Sequence, residues 1–203
     1  MKENYMMING QRINLTDEQV EAVRKSFGAS AKKLKDCKVG QTCKFGPFEF
    51  IVLEHSSETT ALILKEALPE RAKFGNNNNY NSSNVDKICN EFAEKLAAII
   101  GKEYIVEHTV DLTSDDGLKD YGKVKRKASL LTTTLYRRYV HILDKFKLSI
   151  WWWLATAFST PTHEDSDLVK CVSPRGLIFS NYWNGDYDGV RPFCILKSDI
   201  FVS

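Results

Sequence analysis

Three consecutive tryptophans followed by a leucine, Trp151-Trp152-Trp153-Leu154, constrain this chain more than any other feature. Side chains on a strand alternate between its faces, so Trp151 and Trp153 share one face and Trp152 takes the other. Burying all three requires cover on both sides of the strand. The chain is large enough to provide it. Its 203 residues, 43% hydrophobic and 27% charged, can bury a core without metals or disulfides.

The rest of the pattern predicts an α+β protein. Residues 6–8, Asn9-Gly10 and residues 11–15 read as a hairpin, because Asn-Gly favours the positive φ angles of a type I′ turn. Thr16 and Gln19 form a capping box, and Val20, Val23 and Phe27 recur at helical spacing until Gly28. This short, one-sided helix predicts packing on the main body or on another copy of the chain. Residues 29–38 are lysine-rich and read as a linker. Residues 42–45, 48–54 and 59–65 are rich in β-branched and aromatic side chains and predict an antiparallel meander. Residues 67–83, with an asparagine run at 76–79, predict a plain surface loop.

Ser83 with Asp86 opens a helix whose apolar face carries Val85, Ile88, Cys89, Phe92, Leu96 and Ile99, and Gly101 ends it. Residues 104–106, 109–112 and 128–131 are short extended pieces. Thr132 or Thr133 caps a second helix running to about Phe146, with Leu135, Tyr139, Ile142, Leu143 and Phe146 on its apolar face. After the tryptophans, residues 168–173, a Pro174-Arg175-Gly176 turn, residues 177–182, a loop at 183–188 and residues 189–197 predict a β-meander. The expected organisation is an N-terminal hairpin, helix and linker over 1–36 and a main domain over 37–203.

Composition narrows the function. A net charge of +2 argues against nucleic acid as a partner. The cluster Lys123, Lys125, Arg126 and Lys127 reads as a solvated strand edge that blocks sheet-to-sheet pairing. No stretch approaches the ~20 apolar residues of a membrane span, so no membrane insertion is expected. The polar N-terminus is no signal peptide and predicts synthesis in the cytoplasm. Five cysteines without close pairing read as free thiols, with no zinc site. Two acidic loops, His163 with Glu164, Asp165 and Asp167, and Asp111 with Asp115 and Asp116, lack metal-site spacing and read as solvated polar loops. His55, His108 and His141 are scattered, with no nucleophile elbow or phosphate loop nearby. Neither cofactor, metal nor catalytic residue is predicted.

The segment Phe179-Ser180-Asn181-Tyr182-Trp183-Asn184-Gly185-Asp186-Tyr187-Asp188 stands apart. Asn, Gly and Asp are turn formers, which leaves Tyr182, Trp183 and Tyr187 unexplained. Tyr and Trp give contact area at low entropic cost, and Ser, Gly and Asn give adaptable hydrogen bonding, as in antibody paratopes.

WWWLAT at 151–156, CVSPRG at 171–176 and GVRPFCIL at 189–196 resemble a bacterial and phage domain family of uncharacterised function. FEFIVLE at 48–54, the Ser-Ser-Asn helix start at 82–84 and ASLLT at 128–132 extend the resemblance over roughly 38–203. That family is similar to the C-type-lectin-like fold of formylglycine-generating enzymes and of the variable proteins of diversity-generating retroelements. The resemblance implies a display segment over 157–188. Its display positions are Phe179, Ser180, Asn181, Tyr182, Trp183, Asn184, Asp186, Tyr187 and Asp188, with a second strip of Ser159, Thr162, Glu164, Asp165, Asp167 and Leu168. It also implies that Trp151 and Trp153 pack the core beneath, and that Arg191 is a buried guanidinium satisfied by carbonyls or a carboxylate. The active-site cysteine pair of the oxidase branch is not matched, since Cys171 and Cys194 lie far apart in sequence.

The expectation is a phage- or prophage-type recognition protein, virion-associated, that binds a protein or glycan on a cell surface and oligomerises through its N-terminal helix. The alternatives are a formylglycine-generating-like enzyme and a virion structural or assembly protein.

Overall fold

The computed structural model describes residues 5–8, 11–20, 32–81, 83–163, 166–185 and 188–202. The expected hairpin is present: β1 (Tyr5–Ile8) pairs antiparallel with β2 (Gln11–Asn14), Ile8 opposite Gln11. The capping box is closed in both directions. The Thr16 N–H donates to Gln19 Oε1 at 2.9 Å and the Gln19 N–H to Thr16 Oγ1 at 3.2 Å. Residues 17–20 are helical. The Asn9-Gly10 turn and the expected helix through Val23 and Phe27 to Gly28 lie outside the described residues.

Strand β3 (Lys32–Lys33) already belongs to the main body. It pairs with the last strand of the chain, and the next residue, Leu34, is fully buried. The expected linker over 29–38 therefore does not extend past Lys32. An apolar side chain here closes one end of the core.

Strands β4 (Thr42–Phe45), β5 (Phe48–His55) and β6 (Thr59–Leu64) form the expected meander. Helix α1 (Asn84–Ile100) follows; the Ser83 side chain accepts from the Asp86 N–H, and Gly101 at φ +91° ends the helix in a conformation other residues rarely adopt. Short strands β7 (Ile105–Val106), β8 (His108–Asp111), β9 (Lys123–Arg126) and β10 (Ala128–Ser129) lead to helix α2 (Thr133–Leu143), capped by Thr132. Then come β11 (Trp152–Ala157), β12 (Leu168–Val172), β13 (Ile178–Tyr182), β14 (Phe193–Lys197) and β15 (Phe201–Val202).

The principal sheet runs β10-β14-β6-β5-β4, with β7 also on β14, and every pairing is antiparallel. A second sheet, β11-β12-β13, is a meander. The expected four-strand C-terminal meander stops at β13. Strand β14 crosses to the principal sheet, because alternating Phe193, Ile195 and Cys194, Leu196 fill both of that sheet's faces. Helices packed against antiparallel sheets make this an α+β protein.

The principal sheet is covered on both faces. Phe50, Val52, Leu62 and Leu196 meet Phe92, Ala93 and Leu96 of α1. Ile51, Leu53, Ile63 and Phe193 meet Tyr136, Tyr139, Ile142 and Leu143 of α2. Strand β11 separates two clusters in the same way. Trp152 and Leu154 join the α2 side, and Trp153 and Ala155 join a third cluster with Phe74, Tyr80, Val85, Cys89 and Val190. The 67–83 segment is accordingly no plain surface loop. Phe74 and Tyr80 roof Trp153, whose indole N–H donates to the Ala72 carbonyl at 2.9 Å. On α1, Ile99 departs from the expected buried face and is 37% exposed, lying over Gly46.

Candidate functional site

Backbone hydrogen bonds through Gly189 tie the second sheet to the segment that leads into β14. Gly189 sits between Trp151 and Trp153 in backbone terms: its N–H donates to the Trp151 carbonyl at 2.7 Å and its carbonyl accepts from the Trp153 N–H at 3.0 Å. A Cβ at position 189 would come within 2.7 Å of the Ile150 Cδ1 and 3.0 Å of the Ala67 Cβ, so a larger residue would force both to give way. Two residues on, Arg191 is buried as expected. Its Nε donates to the Leu64 carbonyl at 2.8 Å, and its Nη2 to the carbonyls of Lys65 at 2.7 Å and Phe146 at 3.3 Å. The guanidinium also stacks over Trp152.

The display positions fall partly on the expected strand over 177–182 and partly on the turn that follows it. Residues 178–182 are strand β13, the free edge of the second sheet. Val172, Lys170 and Leu168 of β12 stand opposite Ile178, Ser180 and Tyr182, and Cys171 and Val169 stand opposite Phe179 and Asn181. Alternation therefore divides the segment by face. Leu177, Phe179 and Asn181 share the Trp153 side; Ser180 and Tyr182 share the other. Turn-forming residues reach strand geometry here because β12 supplies a full pairing partner.

Exposure follows position along this edge. Tyr182 is 57% exposed, with Leu177 and Phe179 also open. Trp151 is 38% exposed and packs edge-to-face on Phe179 at 5.3 Å. This corrects the expectation that Trp151 joins the core. It stands one residue before β11, beyond the cover that buries Trp153. Trp151 and Leu177 thus belong to an exposed aromatic face that sequence reasoning missed. Alternation placed Trp151 on the correct side, but nothing in the sequence marks where the cover ends.

The turn after β13 is half-buried. The Trp183 N–H donates to the Asp167 carbonyl at 3.0 Å, its carbonyl accepts from Gly75, and its ring packs against the Trp153 cluster. Asn184 is exposed. Asp188 is fully buried and so cannot be displayed. Burial raises its carboxyl above the ordinary aspartate range, against hydrogen bonds from Asn181 and Cys171. Asp186 and Tyr187 lie outside the described residues.

The second expected strip meets the first only at its end, where Leu168 stands opposite Tyr182 and Asp167 holds Trp183. Ser159 is buried and presents nothing outward, because residue 159 is tied down by Asn78. The Asn78 Nδ2 donates to the carbonyls of Ser159 at 2.8 Å and Leu168 at 3.2 Å. Exposed Thr162 donates its hydroxyl to Asp120 at 2.6 Å. Glu164 and Asp165 lie outside the described residues.

The acidic loops are occupied by local partners. Asp116 accepts from the Ser114 hydroxyl at 2.5 Å, which holds its carboxyl down at about 2, and lies 3.1 Å from His163 Nδ1. Asp111 is held at about 2 by Thr113 and Lys123. Among the described residues no group of three or more His, Cys, Asp or Glu could hold a metal ion. The basic cluster is only partly a solvated edge. Arg126 forks onto buried Asp86 at the start of α1 through Nε and Nη2, both at 2.7 Å.

A cleft of about 230 Å³ opens elsewhere, between α2 and the principal sheet. Phe193 and Ile195 floor it, and Glu54 at its rim accepts from Arg138 and from the Tyr139 hydroxyl. Buried His108 lines it as a neutral imidazole, its pKa lowered to about 4 by desolvation. Neither Cys171 nor Cys194 lines this cleft. Both thiols are buried and free, and burial pushes Cys171 up to about 12, away from the reactive thiolate. No helix among the described residues is long and apolar enough to cross a membrane. No protein-family model, curated protein or solved structure matches this chain.

Proposed function

We propose that this chain is a recognition protein of phage or prophage type, not an enzyme, with a lectin-like α+β scaffold that binds a protein or glycan on a cell surface. One observation carries the reading: aromatic residues stand exposed on a strand whose backing is buried on both faces. Trp151, Phe179 and Tyr182 offer contact area from a fixed frame, which is the arrangement that binding surfaces use and folding alone does not require. The resemblance to variable proteins of diversity-generating retroelements supports the same edge strand and turn, now read as Phe179, Ser180, Asn181, Tyr182, Trp183 and Asn184. Asp188 and Ser159 act behind it. Nucleic acid is not the partner, given the near-balanced charge.

The test is a binding screen of the full chain on a glycan array and on a displayed random-peptide library. Replacing Phe179 and Tyr182 together with Ala should abolish whatever binding is found and leave Tm nearly unchanged. Binding that survives this double substitution sinks the reading. The retroelement origin has a separate check: a neighbouring reverse-transcriptase gene, with a second, near-identical copy of the DNA encoding residues 157–188.

A further inference from the structure

Strand β13 is an edge without a guard. Proteins protect exposed edges with charge, proline or bulges, since a row of unpaired N–H and C=O groups invites another strand. Several edges here follow that rule: β4 carries Lys44, β9 carries Lys123, Lys125 and Arg126, and β3 is Lys32-Lys33, while β11, the opposite edge of the same sheet as β13, is covered by backbone bonds to Gly189 and Leu131. Strand β13, Ile-Phe-Ser-Asn-Tyr, carries neither charge nor proline.

The ladder identifies the groups that face outward. At one end the Ser173 N–H donates to the Leu177 carbonyl at 2.9 Å; at the other the Trp183 N–H donates to Asp167 at 3.0 Å. Hydrogen-bonded pairs alternate in an antiparallel ladder, so Phe179 and Asn181 bond to β12. Ile178, Ser180 and Tyr182 turn their backbone groups away from it. Tyr182 is satisfied locally, its N–H by Asn181 Oδ1 at 2.9 Å and its carbonyl by Gly185. The outward N–H and C=O of Ile178 and Ser180 have no hydrogen bond to any described residue.

We infer that this edge takes an extended peptide segment of a protein partner, added as a fourth strand beside β13. This rests on the reading of the Phe179–Tyr182 edge as the binding surface. Donors and acceptors repeating every second residue, ~6.8 Å apart, match the backbone of another strand rather than the hydroxyls of a sugar. The added strand's side chains fall alternately beside Phe179 on one face and beside Ser180 and Tyr182 on the other, which favours apolar or aromatic residues beside Phe179. A second folded copy is a poorer occupant. A five-residue edge offers a contact strip of a few hundred Å², against the ~1,200 Å² of a stable interface between folded proteins.

The experiment uses peptides selected from a random twelve-residue displayed library against the full chain. A selected peptide and its singly N-methylated versions are titrated by calorimetry. Strand addition predicts a period of two: methylation at alternate residues weakens binding about tenfold or more, and methylation between them is tolerated. Ser180→Pro, which deletes an outward N–H and leaves the bonds to β12, should weaken binding to the same degree. Uniform tolerance of N-methylation overturns the inference, and so does a library that returns no binder. If the glycan array then yields a ligand lost in the Phe179→Ala/Tyr182→Ala variant, the recognition reading stands without the peptide. If neither ligand depends on those residues, both fail. Concentration-dependent dimerisation abolished by Ser180→Pro would assign the edge to a second copy and also overturn the inference.

Discussion

At the scale of single residues, two buried charged groups near the display edge behave oppositely. Arg191 donates through Nε and Nη2 to three backbone carbonyls and lies over the Trp152 ring, and burial lowers its pKa only to about 10, so it stays charged. A lysine cannot fork onto three separated acceptors. Arg191→Lys should therefore destabilise by about 3 kcal/mol, read from urea unfolding, because buried carbonyls lose their donors. A loss below ~1 kcal/mol would mean that water replaces the guanidinium. Asp188 is under-satisfied: its Oδ2 has no partner among the described residues, and burial raises its pKa. The folded state thus keeps this proton to higher pH than the unfolded chain does. Its contribution to stability is complete below the ordinary aspartate range and falls as pH rises through the raised value. Asp188→Asn removes that loss, so its Tm advantage over the parent should grow as pH rises from the ordinary aspartate range through the raised value. Melting curves that shift in parallel across this range would refute the assignment. The two residues also differ in legibility. Arg191 and Gly189 stood out through the Gly-Val-Arg-Pro string, whereas Asp188 reads as a display position, since its buried place beside Cys171 brings together segments far apart in sequence.

At the scale of elements, the start of α1 shows what local sequence can and cannot reveal. Ser83 capping the Asp86 N–H is written in three residues and was legible. The forked pairing of Asp86 with Arg126 joins residues 40 apart, and an Arg within a basic strand reads as solvated until its partner is seen. Asp86 is almost fully buried and Arg126 largely so, which makes this a structural pair rather than a surface one. Removing one partner strands the other. Asp86→Ala should cost about 3 kcal/mol, and Asp86→Leu with Arg126→Met should recover a large part of it. Additive losses in that double-substitution cycle would show that the two side chains are not coupled. Helices and the β4–β6 meander were readable because caps and periodicities are local. Strand β13 was readable too, as the expected strand over 177–182, but its place at a sheet edge was not, since the strand expected beside it, β14, joins the principal sheet instead. The 67–83 segment was misjudged for a related reason: polar asparagines surround Phe74 and Tyr80, and the space these two fill exists only once β11 is in place.

At the scale of the whole molecule, β11 is the wall between two cores, and the tryptophan run records this. Trp152 is sealed by Tyr136 of α2 and by Arg191, and Trp153 by Phe74 and the Ala72 carbonyl. The sequence required cover on both sides of this strand, and the fold supplies it for two of the three rings. The third lies where the wall ends and the proposed binding edge begins. The run therefore spans the boundary between what holds the molecule together and what it presents, and a substitution series can locate that boundary. Trp152→Ala and Trp153→Ala each open a cavity and should lower stability by about 3–5 kcal/mol, with Trp153→Ala the worse because its indole N–H partner is also left unsatisfied. Trp151→Ala removes a partly exposed ring that touches Phe179, so it should cost under ~1 kcal/mol. Its effect should appear in ligand binding, since Phe179 loses the ring that fixes its orientation on the edge. Urea unfolding of the three variants, beside their binding to a ligand selected on the parent chain, separates the two roles. Equal destabilisation by all three would extend the core to Trp151 and remove the binding face from this end of the sheet. A silent Trp152 would mean that the α2 side of β11 closes without it.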